Sequence, residues 1–261
     1  MSEPRDYKTE AIIIKKTKLG EADRILTLYT PHLGKIQAVA RGVRQPKSKM
    51  SGHLELLTYS MVSLARGKNL ATVTGSQTIN SFLPIKDDLE MTSYALYIIE
   101  LVNQFTEDGV EDFPLFKMLL DVMDKLSAEK NKELVLRYFE VQLLEHAGYR
   151  PQLQQCVSCH LRLKPIINYF CPGAGGMLCP SCSRNNYYSN PLSVNGLKVF
   201  RLLQDGDYNT ISRLRMGKDL AIELERLLRL YIKYLLEKEI KSVEWLETIK
   251  NQPEKPPIAL L

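Results

Sequence analysis

The chain has 261 residues, a formal charge of +5 from 35 Lys/Arg against 30 Asp/Glu, and 44% hydrophobic residues, the balance of an ordinary soluble globular protein of one or two domains. Met1-Ser2-Glu3-Pro4-Arg5-Asp6 lacks the basic-then-apolar run of a signal peptide, and no apolar stretch approaches the length that spans a bilayer. A cytoplasmic location is therefore expected, where five cysteines are not disulfide staples.

From Lys8 to about Leu83 the pattern is that of strands. Thr9–Lys16 carries the β-branched run Ile12-Ile13-Ile14, Ala22–Thr30 alternates, and Lys35–Arg41, Leu54–Leu64 and Leu70–Phe82 continue in the same style. Gly20, Pro31, Gly34, Gly42, Pro46, Gly52 and Gly67 punctuate the runs. Five short strands at this spacing predict a small closed or nearly closed barrel, which leaves no exposed sheet edge. Charge follows the same division. Residues 1–80 hold thirteen Lys/Arg against six Asp/Glu, net +7, and the remainder is net −2. Such a surface is either a footprint for a polyanion or simply a basic solvated face.

After Pro84 the period becomes helical. Asp87 or Asp88 caps a helix reaching about Phe105; a second fits Pro114–Leu126; a third runs from Lys132 to Ala147 and stops at Gly148, with Pro151 beyond. Gln152–Asn186 is Cys-, Gly- and Pro-rich. Helical spacing returns over Ser193–Leu203 and again from Lys218 to about Ile240, and Pro253-Glu254-Lys255-Pro256-Pro257 marks an extended or flexible tail. The expected organisation is α+β and multidomain: a nucleic-acid-binding barrel at 1–83, a helical domain at 84–151 and 191–250, an inserted four-cysteine zinc module at 152–190, and a tail at 251–261.

Cys156-Val-Ser-Cys159, nineteen residues, then Cys179-Pro-Ser-Cys182 has zinc-ribbon spacing. Each pair forms a tight turn that aims two thiolates at one ion. Four thiolates complete a tetrahedral shell with no open position, so one structural Zn2+ is expected. The segment between the pairs is poor in apolar residues, so metal would supply much of its stability. Two redox pairs and an iron–sulfur cluster are the rival uses of such cysteines. Cys171 belongs to neither turn and reads as a non-ligand, as does His160.

No catalytic kit accompanies the metal site. His32, His53 and His146 fit no motif, there is no phosphate loop or nucleophile elbow, and Gly173-Ala-Gly175-Gly176 precedes a cysteine turn. Asp87/Asp88 read as a cap and Asp121/Asp124 as a solvated face. The expectation is a protein that is not an enzyme. The densest positive cluster is Lys35, Arg41, Arg44, Lys47 and Lys49, largely on a Gly/Pro-broken loop after a strand. A small barrel fixing several cations suits phosphate contacts, which bind without reading sequence and weaken with salt. Tyr7, Tyr29 and Tyr59 are the only rings before Phe82 and read as core, so weak base preference is expected.

At these residues a resemblance appears. Gly20-Glu-Ala-Asp-Arg-Ile-Leu-Thr-Leu-Tyr-Thr30, Gly34-Lys-Ile36, Ala40-Arg-Gly-Val-Arg44 and Lys47-Ser-Lys49 resemble the N-terminal signature of the bacterial RecO family of recombination mediators. Leu136-Arg-Tyr-Phe-Glu-Val-Gln-Leu-Leu144, Gly148-Tyr-Arg-Pro151 and Gly175-Gly-Met-Leu-Cys179-Pro-Ser-Cys182 are similar to its central and zinc-turn motifs. The likeness covers nearly the whole chain, and Cys171 departs from the usual small residue. It implies an N-terminal OB-fold β-barrel, a helical domain and a zinc module. It further implies binding of ssDNA and dsDNA, annealing of complementary strands, and partnership with RecR. Together these load RecA onto DNA coated by single-stranded-DNA-binding protein (SSB), whose acidic tail the family recognises, in the cytoplasm and at the nucleoid during repair. Lys35, Arg41, Arg44, Lys47 and Lys49 are expected to contact DNA, and Arg137, on the family-like helix, to meet the SSB tail or serve as a surface or interhelical charge. A zinc-ribbon adaptor that binds only proteins is the alternative reading.

Overall fold

The computed structural model describes residues 6–185 and 188–250, so the expected tail at 251–261 lies outside the described residues. Strands β1 (Asp6–Leu19), β2 (Asp23–Thr30), β3 (Gly34–Ala40), β4 (Tyr59–Ala65) and β5 (Ala71–Asn80) close into a barrel of order β1-β2-β3-β5-β4. β1 pairs antiparallel with both β2 and β4, and a short parallel pairing of β3 with β5 seals the wall, an OB-like arrangement. The apolar run in β1 does not alternate because both of its faces are covered. Ala11 and Ile13 fill the barrel interior, whereas Ile12 and Ile14 join the core of the helical domain. A register shift between Ile13 and Lys15 bulges the strand at Ile14, the last residue of that run.

The strand expected at Leu54–Leu64 begins only at Tyr59. Gly52–Leu54 is a 3-10 turn, and Leu57 has φ 63°. This segment plugs rather than pairs: Leu54 enters the barrel core and Leu57 the helical core, with the backbone tied to Ile13 through Leu57 N–H to Ile13 O at 3.0 Å. Its apolar spacing imitates a strand because successive large residues still reach opposite cores.

Helices α1 (Leu83–Lys86), α2 (Leu89–Phe105), α3 (Phe113–Ala128) and α4 (Lys132–His146) follow. After a cysteine-rich segment that includes α5 (Pro180–Ser183) come α6 (Val194–Asp205), α7 (Tyr208–Ile211), α8 (Lys218–Leu236) and α9 (Lys241–Lys250). Asp88, Asp112, Asn131 and Ser193 accept hydrogen bonds from the backbone N–H groups of Met91, Leu115, Leu134 and Gly196, each cap contributing about 1 kcal/mol. The helix expected to reach about Ile240 stops at Leu236, where Glu237 turns left-handed with φ 53°. A separate α9 then folds back along α2. Glu100 of α2 receives its first N–H groups, from Lys241 at 3.0 Å and Ser242 at 2.8 Å, and Leu246 is its buried anchor. Its far end is held by ion pairs of Lys250 with Glu133 and Glu225.

The cysteine-rich segment contains a three-stranded sheet, β6 (Asn168–Cys171), β7 (Gly176–Leu178) and β8 (Asn190–Leu192), in the order β7-β6-β8. It leans on the helices through Phe170, whose ring lies edge-on to Tyr231 of α8 at 5.2 Å. Arg201 of α6 donates to the Leu153 carbonyl at 2.6 Å and 3.0 Å. Among the described residues no helix is long and apolar enough to cross a membrane.

Candidate nucleic-acid interface and metal centre

The segment after β3 is a rim loop fastened to the β1–β2 turn. Gly42 N–H donates to Asp23 Oδ1 at 2.7 Å, Arg44 N–H to Ala22 O at 3.0 Å, and the Arg44 guanidinium to Gly20 O at 3.2 Å. Turns from Gln45 N–H to Gly42 O and Ser48 N–H to Gln45 O continue the path, and Val43 inserts into the barrel core as a plug. Gly42 has φ 63°, which glycine adopts without strain. The loop backbone is thus tied down, and apart from the one Arg44 guanidinium N–H given to Gly20 O its charged ends face water. Arg41, Arg44, Lys47 and Lys49 are all exposed, and among the described residues none has an acidic partner. Asp23, which positions the loop, sits inside the sequence motif at Gly20–Thr30, but only the fold reveals its role.

In the cysteine-rich segment Cys156, Cys159, Cys179 and Cys182 converge, with all four sulfurs within 4.8 Å of one another. Cys159 Sγ and Cys179 Sγ are 3.9 Å apart. That is far beyond a disulfide of about 2.05 Å. It matches the separation of about 3.8 Å that a tetrahedral zinc–sulfur shell with bonds of about 2.3 Å requires. Burial pushes the Cys156 thiol up, yet N–H groups of Cys159, Cys179 and Ser158 directed at its sulfur outweigh this and bring it down to about 6. The Cys182 thiol is instead pushed up to about 12, so it is the convergence of the four sulfurs that makes the donor set fit a metal ion. Cys171, buried in β6, and His160, exposed with φ 61°, lie outside the group. The other histidines are separately engaged: His32 with Glu111, His53 with Thr78, and His146 with Asp112.

Residues 1–82 match the family described as Recombination protein O N terminal, and residues 86–244 match Recombination protein O C terminal. The chain is 47% identical over 250 residues to a DNA repair protein RecO of Dehalococcoides mccartyi (strain CBDB1), covering 96% of this chain and 98% of the relative. It is also 39% identical to that of Roseiflexus sp. (strain RS-1), over 95% of this chain and 87% of the relative. A third relative, from Pelotomaculum thermopropionicum, is 33% identical over 95% of this chain and 96% of its own length. The chain belongs to the RecO family. Its role therefore lies in DNA repair and recombination.

For a RecO-family chain, two of the cations expected at partner surfaces have other work. Lys35 is not with the loop. Its ammonium is turned inward and donates to Asn103 O at 2.8 Å and Thr106 O at 2.7 Å, the open carbonyls at the end of α2, with Asp108 at 3.3 Å. A lysine at a helix C-terminus neutralises the dipole and satisfies carbonyls the helix leaves free. The same junction explains Gly34, where a Cβ would come within 2.0 Å of Val110 O. Lys35 thus joins the barrel to the helical domain and is corrected from DNA contact to clamp.

Arg137 is corrected likewise. It is fully buried in α4, 3.1 Å from Glu140, whose other oxygen accepts from Tyr97 at 2.7 Å. An incoming peptide tail has no access to it. A surface charge is excluded too; the ion pair with Glu140 runs within α4, and Glu140 in turn links to Tyr97 of α2. Sequence gives both residues a charge and a helical or strand address, but burial depends on which chain segments pack above them. The rings before Phe82 are core, as expected: Tyr29 is buried, and Tyr59 lies edge-on to Phe116 at 6.1 Å. Tyr7 is half-buried against the barrel core.

Proposed function

We propose that this RecO-family protein is a non-catalytic recombination mediator that binds single- and double-stranded DNA through its phosphates. In this reading it anneals complementary strands and, with RecR, helps load RecA onto single strands coated by SSB, in the bacterial cytoplasm. The observation that carries the DNA-binding reading is the quartet Arg41, Arg44, Lys47 and Lys49, exposed on a fixed rim loop with no acidic partner among the described residues. Four such cations gain little from the protein's own fold and much from a polyanion.

Phosphate contacts act without regard to sequence, which suits a protein that works at any gap. The rim lacks free rings, so little base discrimination accompanies them. Annealing requires the mutual repulsion of two strands to be screened together, and a rim carrying several uncompensated cations performs this without a chemical step. Cys156, Cys159, Cys179 and Cys182 would hold one structural zinc, whose closed shell supplies stability to the sheet β6–β8. Recognition of the acidic SSB tail falls to exposed cations, since Arg137 is enclosed.

The test is a fluorescence-anisotropy titration of a labelled oligonucleotide with the variant Arg41→Ala/Arg44→Ala/Lys47→Ala. Affinity should fall at least about tenfold for every sequence, and the slope of log K against log salt should flatten by about two for a single strand. Undiminished affinity would sink the assignment.

A further inference from the structure

Between the barrel and the helices lies a groove of about 520 Å3 to which the reading above assigns no role. Its floor is apolar, from Ile14, Leu56, Leu96 and Ile99. Its rim brings together Lys15 of β1, Asn103 and Gln104 from the last turn of α2, Lys238 from the turn between α8 and α9, and Lys241, the first residue of α9. These elements are far apart in sequence, so the total charge of residues 1–80 conceals the cluster.

Lys15, Lys238 and Lys241 are exposed, and among the described residues none has an ion-pair partner. The nearby carboxylates are already engaged. Glu100 accepts from the N–H groups that open α9, Glu239 pairs with Lys233, and Glu55 pairs with Lys16 and lies 3.9 Å from Arg24. The groove therefore keeps a net positive rim even with the Glu100 carboxylate beside it, and two half-buried amide side chains add donors.

It is also continuous with the rim loop. β1 runs from Lys15 to the Gly20 turn on which the loop is fastened, a path of about 17 Å, with exposed Lys18 on the opposite face of the strand. A polyanion seated on Arg41 and Arg44 thus meets further cations in the direction of the helical domain. An extended backbone with charge at every step fits this series better than a compact ligand does.

We infer that this groove is a second DNA-backbone site, taking the phosphates of a single strand as it leaves the rim loop, with the apolar floor against its sugars and bases. The inference rests on the DNA-binding reading. Binding then spans both domains, so the strand length needed for full affinity exceeds what the barrel alone covers.

The experiment compares the full-length protein with two variants, Lys15→Gln/Lys238→Gln/Lys241→Gln and the rim triple. The probes are labelled oligo(dT) of about 8 and about 30 nucleotides, spanning the site sizes of about 4–16 nucleotides seen for such barrels. The groove variant should lose about tenfold in affinity for the long probe, flatten its salt slope by about two, and leave the short probe unchanged. Its melting temperature should not move, because none of the three lysines has an ionic partner to lose. If the long probe binds the groove variant as it binds the wild type while the rim triple is weakened, the groove inference fails and the rim assignment stands. If the wild type binds neither probe, both fail. If the variant keeps its DNA affinity and loses binding of an acidic, apolar-ended peptide, the groove is a peptide site and the inference is overturned.

Discussion

The rim loop at residues 41–49 and the interior of the helical domain both hold long basic side chains, and they treat them oppositely. On the rim, Arg41, Arg44, Lys47 and Lys49 sit on a loop tied by backbone hydrogen bonds at Gly42, Arg44, Gln45 and Ser48, and among the described residues none has a carboxylate partner. Inside, Arg137 faces Glu140 at 3.1 Å, and Lys35 caps the end of α2 through two carbonyls. A buried charge must bring its partner with it, because desolvation outweighs anything water would have supplied. An exposed charge with no partner in its own chain is available to another molecule. The informative quantity is therefore the missing counterion, more than the count of basic residues.

The four-cysteine group is the extreme case, since as thiolates its converging sulfurs would repel one another and a metal ion would be the counterion that holds them together. Stripping the ion should unfold the sheet β6–β8 and produce the largest effect, as structural zinc contributes on the order of 10 kcal/mol in small modules. A steep fall in melting temperature on chelation, together with one zinc per chain beforehand, is the expected result. Zinc-free protein melting as the holo-protein does would contradict it.

Next in size, Arg137→Ala should cost about 3–5 kcal/mol by leaving Glu140 buried and unpaired, whereas Arg137→Met/Glu140→Leu should recover most of it. Urea denaturation of the single and double variants separates these outcomes. Equal losses would show that volume, and not charge pairing, is what Arg137 provides. Lys35→Met should cost about 1.5–3 kcal/mol, the worth of charge-assisted hydrogen bonds, and leave DNA affinity intact. A drop in affinity without a drop in stability would return Lys35 to the interface.

The smallest effect concerns pH. Burial works against the Glu133 carboxylate, but Arg137 and Lys250 outweigh it and hold its pKa below the ordinary range. A depressed folded-state pKa gives stability that is present above the unfolded value of about 4.3 and is lost as pH falls through the folded value. Stability referable to Glu133 should thus be flat from neutrality to about pH 5 and decline only below about 4. Glu133→Gln should remove that part of the acid dependence; a denaturation series across pH on both proteins checks it.

Much of this was legible in the amino-acid order. Turn glycines and β-branched runs mark the barrel, Asp88 and Ser193 announce their helices, and the cysteine spacing alone brings four sulfurs together. What was hidden depends on packing between distant segments. Leu54–Thr58 reads as strand because its large residues enter two cores in turn. α9 was not separated from α8 because Glu237 is an unmarked left-handed residue, with no glycine to announce the break. Lys35 and Arg137 were misplaced because residue type reports charge and cannot report what covers it.

The central claim is that unpartnered rim cations, and not the buried ones, hold DNA. It is tested most directly by one salt series of anisotropy titrations on the wild type, Lys35→Met and the rim triple. The same steep salt slope is expected for the first two, and a slope shallower by about two for the third. A rim triple with the wild-type slope, or a Lys35→Met protein that alone loses it, would contradict the account.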